Sequence, residues 1–262
     1  MNKAQWLVVS LAVAVFLALY LGFDTKPGKH QEIENKRSLA QTSTDISVLL
    51  MEAKVGMSAQ ASATVLGLEA ELDKAPSDSL KAELYKQLSS AWYGFEKPAI
   101  AGFYAEKAAE LLKNEEAWSI AGTTYSICLQ KEEEEKIRSF CTQHAVQALE
   151  NAASLNPSNP QHKVNLALVY TENPPQDNPM KGVLMLRELN EQYPKNHAIL
   201  TQLGRLAIKT GQFDRAVQRL EEALSVEPED PNAICLLAKA YESVGNAAKA
   251  AELNAKCEKL MN

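Results

Sequence analysis

Few residues of this chain stand where their types and spacing could do chemistry, and each apparent match lacks a part it needs. Gly22 to Lys29 ends on the Gly-Lys pair of a phosphate-cradling loop. The spacing between its glycines is one residue too long, however, and His30 stands where a magnesium-binding Ser or Thr belongs. Lys209-Thr210-Gly211 spells a triplet found in penicillin-recognising enzymes, yet it comes without a Ser-x-x-Lys motif and falls where a turn between helices is expected. His30, His144, His162 and His197 are scattered, with no HExxH pattern and no paired cysteines at zinc-ligand spacing, so surface and helix-start roles are expected for them. Glu132 to Glu135 offers a run of carboxylates, but a calcium loop needs alternating oxygen ligands around a central glycine. A solvated acidic helix start between Lys131 and Lys136 fits that run better.

Cys128, Cys141, Cys235 and Cys257 form no CxxC pair and read as small buried side chains of a reduced compartment, although their even number leaves disulfides open. Cys257 stands at a small-residue packing position, and Cys128 and Cys141 flank the acidic run. Nowhere do a nucleophile, a base and an orienting partner converge, so no catalytic, cofactor or metal residue is assigned. An enzyme is not expected, nor is a small-molecule substrate.

The elements that would position any site are helical. Ala, Leu, Glu and Lys dominate while Gly, Pro and aromatics are sparse, which predicts an all-α protein. A net charge of -6 leaves no basic surface able to neutralise a run of phosphates, so nucleic acid is not an expected partner. Trp6 to Phe23 is free of charge and, as a helix, would be about 27 Å long, close to the hydrocarbon thickness of a bilayer. Tyr20 before Gly22 spoils a cleavage site, so the run reads as an uncleaved anchor rather than a removed signal. The expected organisation is a transmembrane anchor at 1–23, a polar tether at 24–42, an N-terminal helical cap at 43–81 and a helical array at 82–262. In the cap, Ser43, Thr44 and Asp45 are candidate N-caps for a helix containing Ile46, Leu49, Leu50 and Ala53. A second helix is expected to turn Ala63, Leu66, Ala70 and Leu72 inward.

The array repeats. From His197 to Asp230, Leu200, Leu203, Gly204, Ala207, Gly211, Phe213, Ala216, Leu220, Ala223 and Pro228 recur as a helix-turn-helix unit, and Ile234, Leu237, Ala238, Tyr241, Gly245, Ala250 and Cys257 restate it. Trp118, Ala121, Gly122 and Tyr125 open an earlier copy stretched by about eleven residues, KEEEEK among them, against the usual length. Another copy, with Leu166, Ala167 and Tyr170, is stretched at ENPPQDNP. Tyr85, Leu88, Trp92, Ala101, Ala105 and Ala108 mark the most divergent one.

This pattern resembles the tetratricopeptide-repeat (TPR) family, over about five repeats. The resemblance implies an α-solenoid, a superhelix of antiparallel helix pairs, whose first helices line a concave face that binds protein segments. Register then projects Glu116, Ser119, Thr123, Gln161, Val164, Leu168, Arg205, Lys209, Asn232 and Lys239 onto that face. Arg205, Lys209, Asn232, Lys239, Thr123 and Leu168 are the expected partner-binding residues, and the basic ones suggest an acidic protein or peptide. The implied function is a membrane-anchored scaffold or adaptor, the alternative a chaperone-like accessory subunit of an envelope-assembly or protein-export complex. The layout resembles single-span repeat proteins of the bacterial inner membrane. Lys and Arg counts around the anchor favour, by a small margin, a cytoplasmic over a periplasmic domain.

Overall fold

A computed structural model describes residues 45–261, with Asn2 and Trp6. The rest of the expected anchor and the whole of the tether lie outside the described residues. Among the described residues no helix is long and apolar enough to cross a membrane. By its internal contacts the chain divides into residues 1–44 and 45–262. In the second unit every regular element described is a helix: α1 (Ile46–Val55), α2 (Ala59–Lys74), α3 (Asp78–Gly94), α4 (Pro98–Leu112), α5 (Glu115–Lys131), α6 (Glu135–Leu155), α7 (Pro160–Glu172), α8 (Lys181–Gln192), α9 (His197–Lys209), α10 (Phe213–Val226), α11 (Pro231–Ser243) and α12 (Ala247–Met261).

The helices begin where side chains satisfy their first backbone N–H groups. Asp45, Ser58, Ser77, Asn114, Asn159, Asn196 and Asp230 each accept such a bond, worth about 1 kcal/mol apiece. Pro98, Pro160 and Pro231 follow caps at the first helical position, where the missing N–H costs nothing. The turns after α9 and α11 pass through Gly211 and Gly245 at φ 71° and 79°, a region that glycine enters without penalty. Lys209-Thr210-Gly211 is thus a helix end and its turn, as its place in the repeat required.

Each odd-numbered helix from α3 to α11 packs against the helix that follows it, and α4, α6, α8 and α10 pack onto the next pair. Small residues set that spacing. A Cβ at Gly204 would fall 2.6 Å from Cγ of Leu220, and one at Gly122 would fall 2.5 Å from Cγ of Leu149. Both glycines therefore let the two helices of a pair approach until a leucine of the second fills the notch. Trp92, Leu88, Tyr125, Leu149, Leu186 and Leu220 are fully buried along the resulting core. At the C-terminal end, α12 buries Ala250 and exposes Asn254 and Glu258, so the array ends on a wettable helix.

The stretched copy does not loop out. Its extra residues lengthen α5 to 17 and α6 to 21 residues, leaving only 132–134 between them. Arg138 secures this taller hairpin by donating to the Leu129 and Glu132 carbonyls at the end of α5, and to the Glu172 carbonyl at the end of α7.

At the N-terminal end, α1 packs on α4 and α2 on α3. Lys54 of α1 and Glu69 of α2 form a 2.7 Å ion pair, and Tyr104 of α4 donates to the same Glu69 at 3.2 Å. Burial, then the Glu69 charge, raises the Tyr104 hydroxyl pKa well above its usual range. Ile46, Leu49, Leu50 and Ala53 face inward. The expected inner face of α2 is corrected: Ala63, Leu66 and Ala70 are exposed, and Val65, Leu68 and Leu72 carry the contact. Leu72 is thus the expected residue that does face inward, whereas Leu66 is 56% exposed beside the buried Val65.

Candidate functional site

Among the first helices, α5, α7, α9 and α11 touch in succession, whereas α3 stands off from α5. The gap is a groove of about 410 Å³. Lys86, Ser89, Ser90 and Tyr93 form the α3 wall, Ala117, Ile120, Thr124 and Ile127 the α5 wall, and Ala105 and Ala108 of α4 the floor. Tyr93 and Ile120 are about half exposed, at 48% and 50%. Alanines on the floor keep the groove open, since longer side chains would fill it. Ser89 is held by its own 2.8 Å bond to the Ala101 carbonyl, which ties the α3 wall to α4.

The expected partner-binding residues are not gathered in one place. Thr123 is half-buried and spends its hydroxyl on the carbonyls of Ser119 and Ile120. Leu168 is half-buried against the cluster of Val164, Ala167, Leu186, Leu189 and Ile199. Arg205 is half-buried on α9; Lys209 is exposed at the end of α9, 3.4 Å from the Glu172 carboxylate. Asn232 is exposed in the first turn of α11, its backbone N–H bonded to Asp230, and Lys239 is exposed further along. Val164, expected on the open face, is 1% exposed and belongs to the core. On α5 the groove is lined one position on from the expected Glu116, Ser119 and Thr123, at Ala117, Ile120 and Thr124.

Two polar clusters escaped the sequence pattern. Glu106 of α4 is a buried carboxylate that accepts from the Tyr125 hydroxyl at 2.7 Å and pairs with Nδ1 of His144 at 2.8 Å; the His144 ring stacks on Tyr125 at 5.2 Å. Burial, then the Glu106 charge, pushes the Tyr125 pKa far up. The equivalent places in the last repeats hold Glu221, Tyr241 and Lys249, with Tyr241 bonded to Glu221 and Lys249 donating to the Tyr241 oxygen at 2.6 Å. That bond raises the Lys249 pKa. In the middle repeat Lys181 lies 3.7 Å from the centre of the Tyr170 ring. Tyr125 and Tyr241 thus each bond a glutamate of the preceding second helix, and His144, Lys181 and Lys249 meet the tyrosine of their own repeat from its second helix; this recurrence was the signal available in the sequence.

The second cluster joins Glu115 of α5 to Asn156 and Asn159 of the next loop and to His162 of α7, at 2.6 to 2.9 Å. Hydrogen bonds from Asn159, His162 and Asn156 pull the Glu115 pKa down to about 2. His144 and His162 are therefore connectors between repeats: His162 stands in the first turn of α7, as expected, but is buried there, and His144 lies in the middle of α6, a correction to the expected surface role. Neither cluster brings a nucleophile to a base: each glutamate is consumed by donors that hold helices together. Among the described residues no group of three or more His, Cys, Asp or Glu is arranged to hold a metal ion.

The cysteines are corrected as well. Cys128 of α5 bonds to Cys141 of α6, and Cys235 of α11 to Cys257 of α12, with Cα separations of 6.2 and 5.1 Å. All four cysteines of the chain are spent, each bridge tying the two helices of one repeat, so they are not free thiols.

Residues 207–256 match the family model of the tetratricopeptide repeat. The sequence has no match among curated proteins. Among solved structures, the TPR protein TTC0263 of Thermus thermophilus is 18% identical, with 68% of this chain and 91% of that one covered and a TM-score of 0.51. A chain in the APC/C hetero-tetramer Cut9-Hcn1 is 16% identical, over 76% of this chain and 37% of that one, with a TM-score of 0.52. MamA from Desulfovibrio magneticus RS-1 is 16% identical, over 69% and 94%, with a TM-score of 0.42. At these identities the likeness concerns the fold. The chain carries tetratricopeptide repeats and is built as a TPR solenoid.

Proposed function

We propose that this protein is a membrane-anchored scaffold that binds an extended or helical segment of another protein along the first helices of its repeats. The observation that carries this reading is the groove between α3 and α5, where Tyr93 and Ile120 are half exposed above an alanine floor. A soluble domain exposes such side chains together mainly where a partner covers them. Further along, Arg205, Lys209, Asn232 and Lys239 supply cations and an amide, with Thr123 and Leu168 between the two ends. The matching ligand is a segment with an apolar anchor for the groove and acidic residues for α9 and α11. Lys209 is already near Glu172, so an acidic ligand would compete with that carboxylate.

The anchor is the apolar run from Trp6 to Phe23. Two disulfides that use every cysteine favour an oxidising compartment, the periplasmic side of a bacterial inner membrane, over the cytoplasmic side that the Lys and Arg count favours. Disulfides weigh more here, because long soluble domains cross regardless of flanking charge.

Replacing Arg205, Lys209 and Lys239 together with Ala tests the acidic-ligand reading. Binding of the native partner captured by crosslinking in intact cells should weaken and lose its salt dependence, with helicity unchanged. Unchanged affinity and salt response would remove the basic residues from the site.

A further inference from the structure

Both walls of the α3–α5 groove are fastened to one point of α4. On the α3 side, Ser89 donates to the Ala101 carbonyl at 2.8 Å. On the α5 side, the Tyr125 ring lies against Gly102, the next residue, so closely that a Cβ there would fall 2.5 Å from Cδ1 of the ring. One turn on, Glu106 accepts from the Tyr125 hydroxyl, while His144 of α6 stacks on the ring and bonds the same carboxylate. Beside them Ala105 of α4, Ala121 of α5 and Ala148 of α6 cluster, small residues that let the three helices close on one another.

This notch differs from those at Gly122 and Gly204. There the leucine filling the space belongs to the same repeat as the glycine, whereas Tyr125 crosses from one repeat to the one before it. Tyr125 is fully buried on α5 next to Thr124, and Ala117, Ile120, Thr124 and Ile127 form the neighbouring stripe that lines the groove. Any lift of α5 at the Tyr125 contact would carry that whole wall with it, because all four residues ride on the same helix.

We infer that Tyr125, seated in the Gly102 notch, is the positioning residue of the groove: it holds the α5 wall at its separation from α3 and so presents a preformed site. The inference rests on the proposed use of the groove and adds what sets its width. Tyr125 itself is closed off from any ligand, and it acts through the wall. Its ring and hydroxyl have separable roles. The ring's bulk against Gly102 sets the separation, and the bond to Glu106 with the stacked His144 locks the ring in one orientation. A site held this way binds without the cost of ordering its own walls.

The full-length protein provides the test. All of its own cysteines are in disulfides, so Glu83→Cys on α3 and Glu116→Cys on α5, both at exposed positions, supply two free thiols for spin labels. The distance between the labels in detergent reads the separation of the walls. Gly102→Ala forces the ring out of its notch and should shift and broaden that distance. Two controls should lower the thermal melt and leave the distance unchanged: Gly204→Ala, which crowds Leu220 at 2.6 Å in a distant repeat, and Tyr125→Phe, which keeps the ring. Should Gly102→Ala not fold, Tyr125→Leu, which leaves the notch part empty without a clash, should move the same distance. A photo-crosslinking amino acid at Ile120 in intact cells gives the second readout. Its protein adduct should fall about tenfold with Gly102→Ala and persist with Gly204→Ala. A distance unmoved by both Gly102→Ala and Tyr125→Leu, or moved equally by Gly204→Ala, would overturn the inference. A moved distance with an undiminished adduct would uphold the positioning role and count instead against the groove as the binding site.

Discussion

The hydroxyl of Tyr125 donates a 2.7 Å hydrogen bond to the buried Glu106 carboxylate, joining the first helix of one repeat to the second helix of the repeat before it. Tyr125→Phe would leave that carboxylate with His144 alone in a site closed to water, and should cost about 1 to 3 kcal/mol. Tyr241→Phe breaks the equivalent bond to Glu221, whose side chain is 50% exposed and can turn to water, so it should cost clearly less. Urea unfolding of both variants checks this. Equal losses would show that burial of the acceptor does not matter.

Gly204 and Gly67 form a paired test of packing. Gly204→Leu must displace Leu220 from its notch and should destabilise by about 1 to 3 kcal/mol. A Cβ at Gly67 in α2 meets nothing within 4 Å, so Gly67→Ala should be neutral or stabilise by up to about 1 kcal/mol. Thermal melts that ranked the two the other way would contradict the repeat register.

Reduction should lower the melting temperature. Each disulfide closes a short loop, with sequence separations of 13 and 22, and constrains the unfolded chain by roughly 3 kcal/mol. Cys128 and Cys141 are fully buried, whereas Cys235 and Cys257 are half-buried, so the second bridge should reduce first under native conditions. Thiol labelling followed by peptide mapping reads the order; simultaneous labelling of all four cysteines would contradict it.

The repeats, their helical pairs and the core glycines were legible in the sequence because packing imposes them at fixed spacing. The glycine at position 204 and the turn at Gly211 could be assigned from that spacing alone. The groove could not. It depends on how far α3 stands from α5, across a floor of Ala105 and Ala108 that belongs to a third helix. His144 and His162 escaped for a similar reason, since their carboxylate partners lie 38 and 47 residues away in sequence. The α2 register failed because Val65, Leu66, Leu68 and Leu72 are spread around the helix and allow more than one inner face, and the disulfides because sequence cannot reveal Cα separations.

Stability should fall at both ends of the pH range. Glu115 titrates near about 2 when folded and near about 4.3 when unfolded. Its contribution is complete above about 4.3 and is lost as pH falls from there through the folded value. At the alkaline end, Tyr104 and Tyr125 hold their protons in the fold while unfolded tyrosine ionises near about 10, so stability drops above that pH. Glu115→Gln should flatten the acid limb and leave the alkaline limb unchanged. An unaltered acid limb would remove Glu115 from the linkage.

The central claim is that the first helices, and the α3–α5 groove above all, receive a protein segment. A photo-crosslinking amino acid placed at Ile120 in the full-length protein in intact cells tests it most directly, with the exposed second-helix position Gln147 as control. The expected result is one specific protein adduct from Ile120, absent from Gln147 and strongly reduced when Tyr93→Ala and Ile127→Asp are introduced without loss of helicity. Adducts that are equal at both positions, or that survive those substitutions undiminished, would contradict the account.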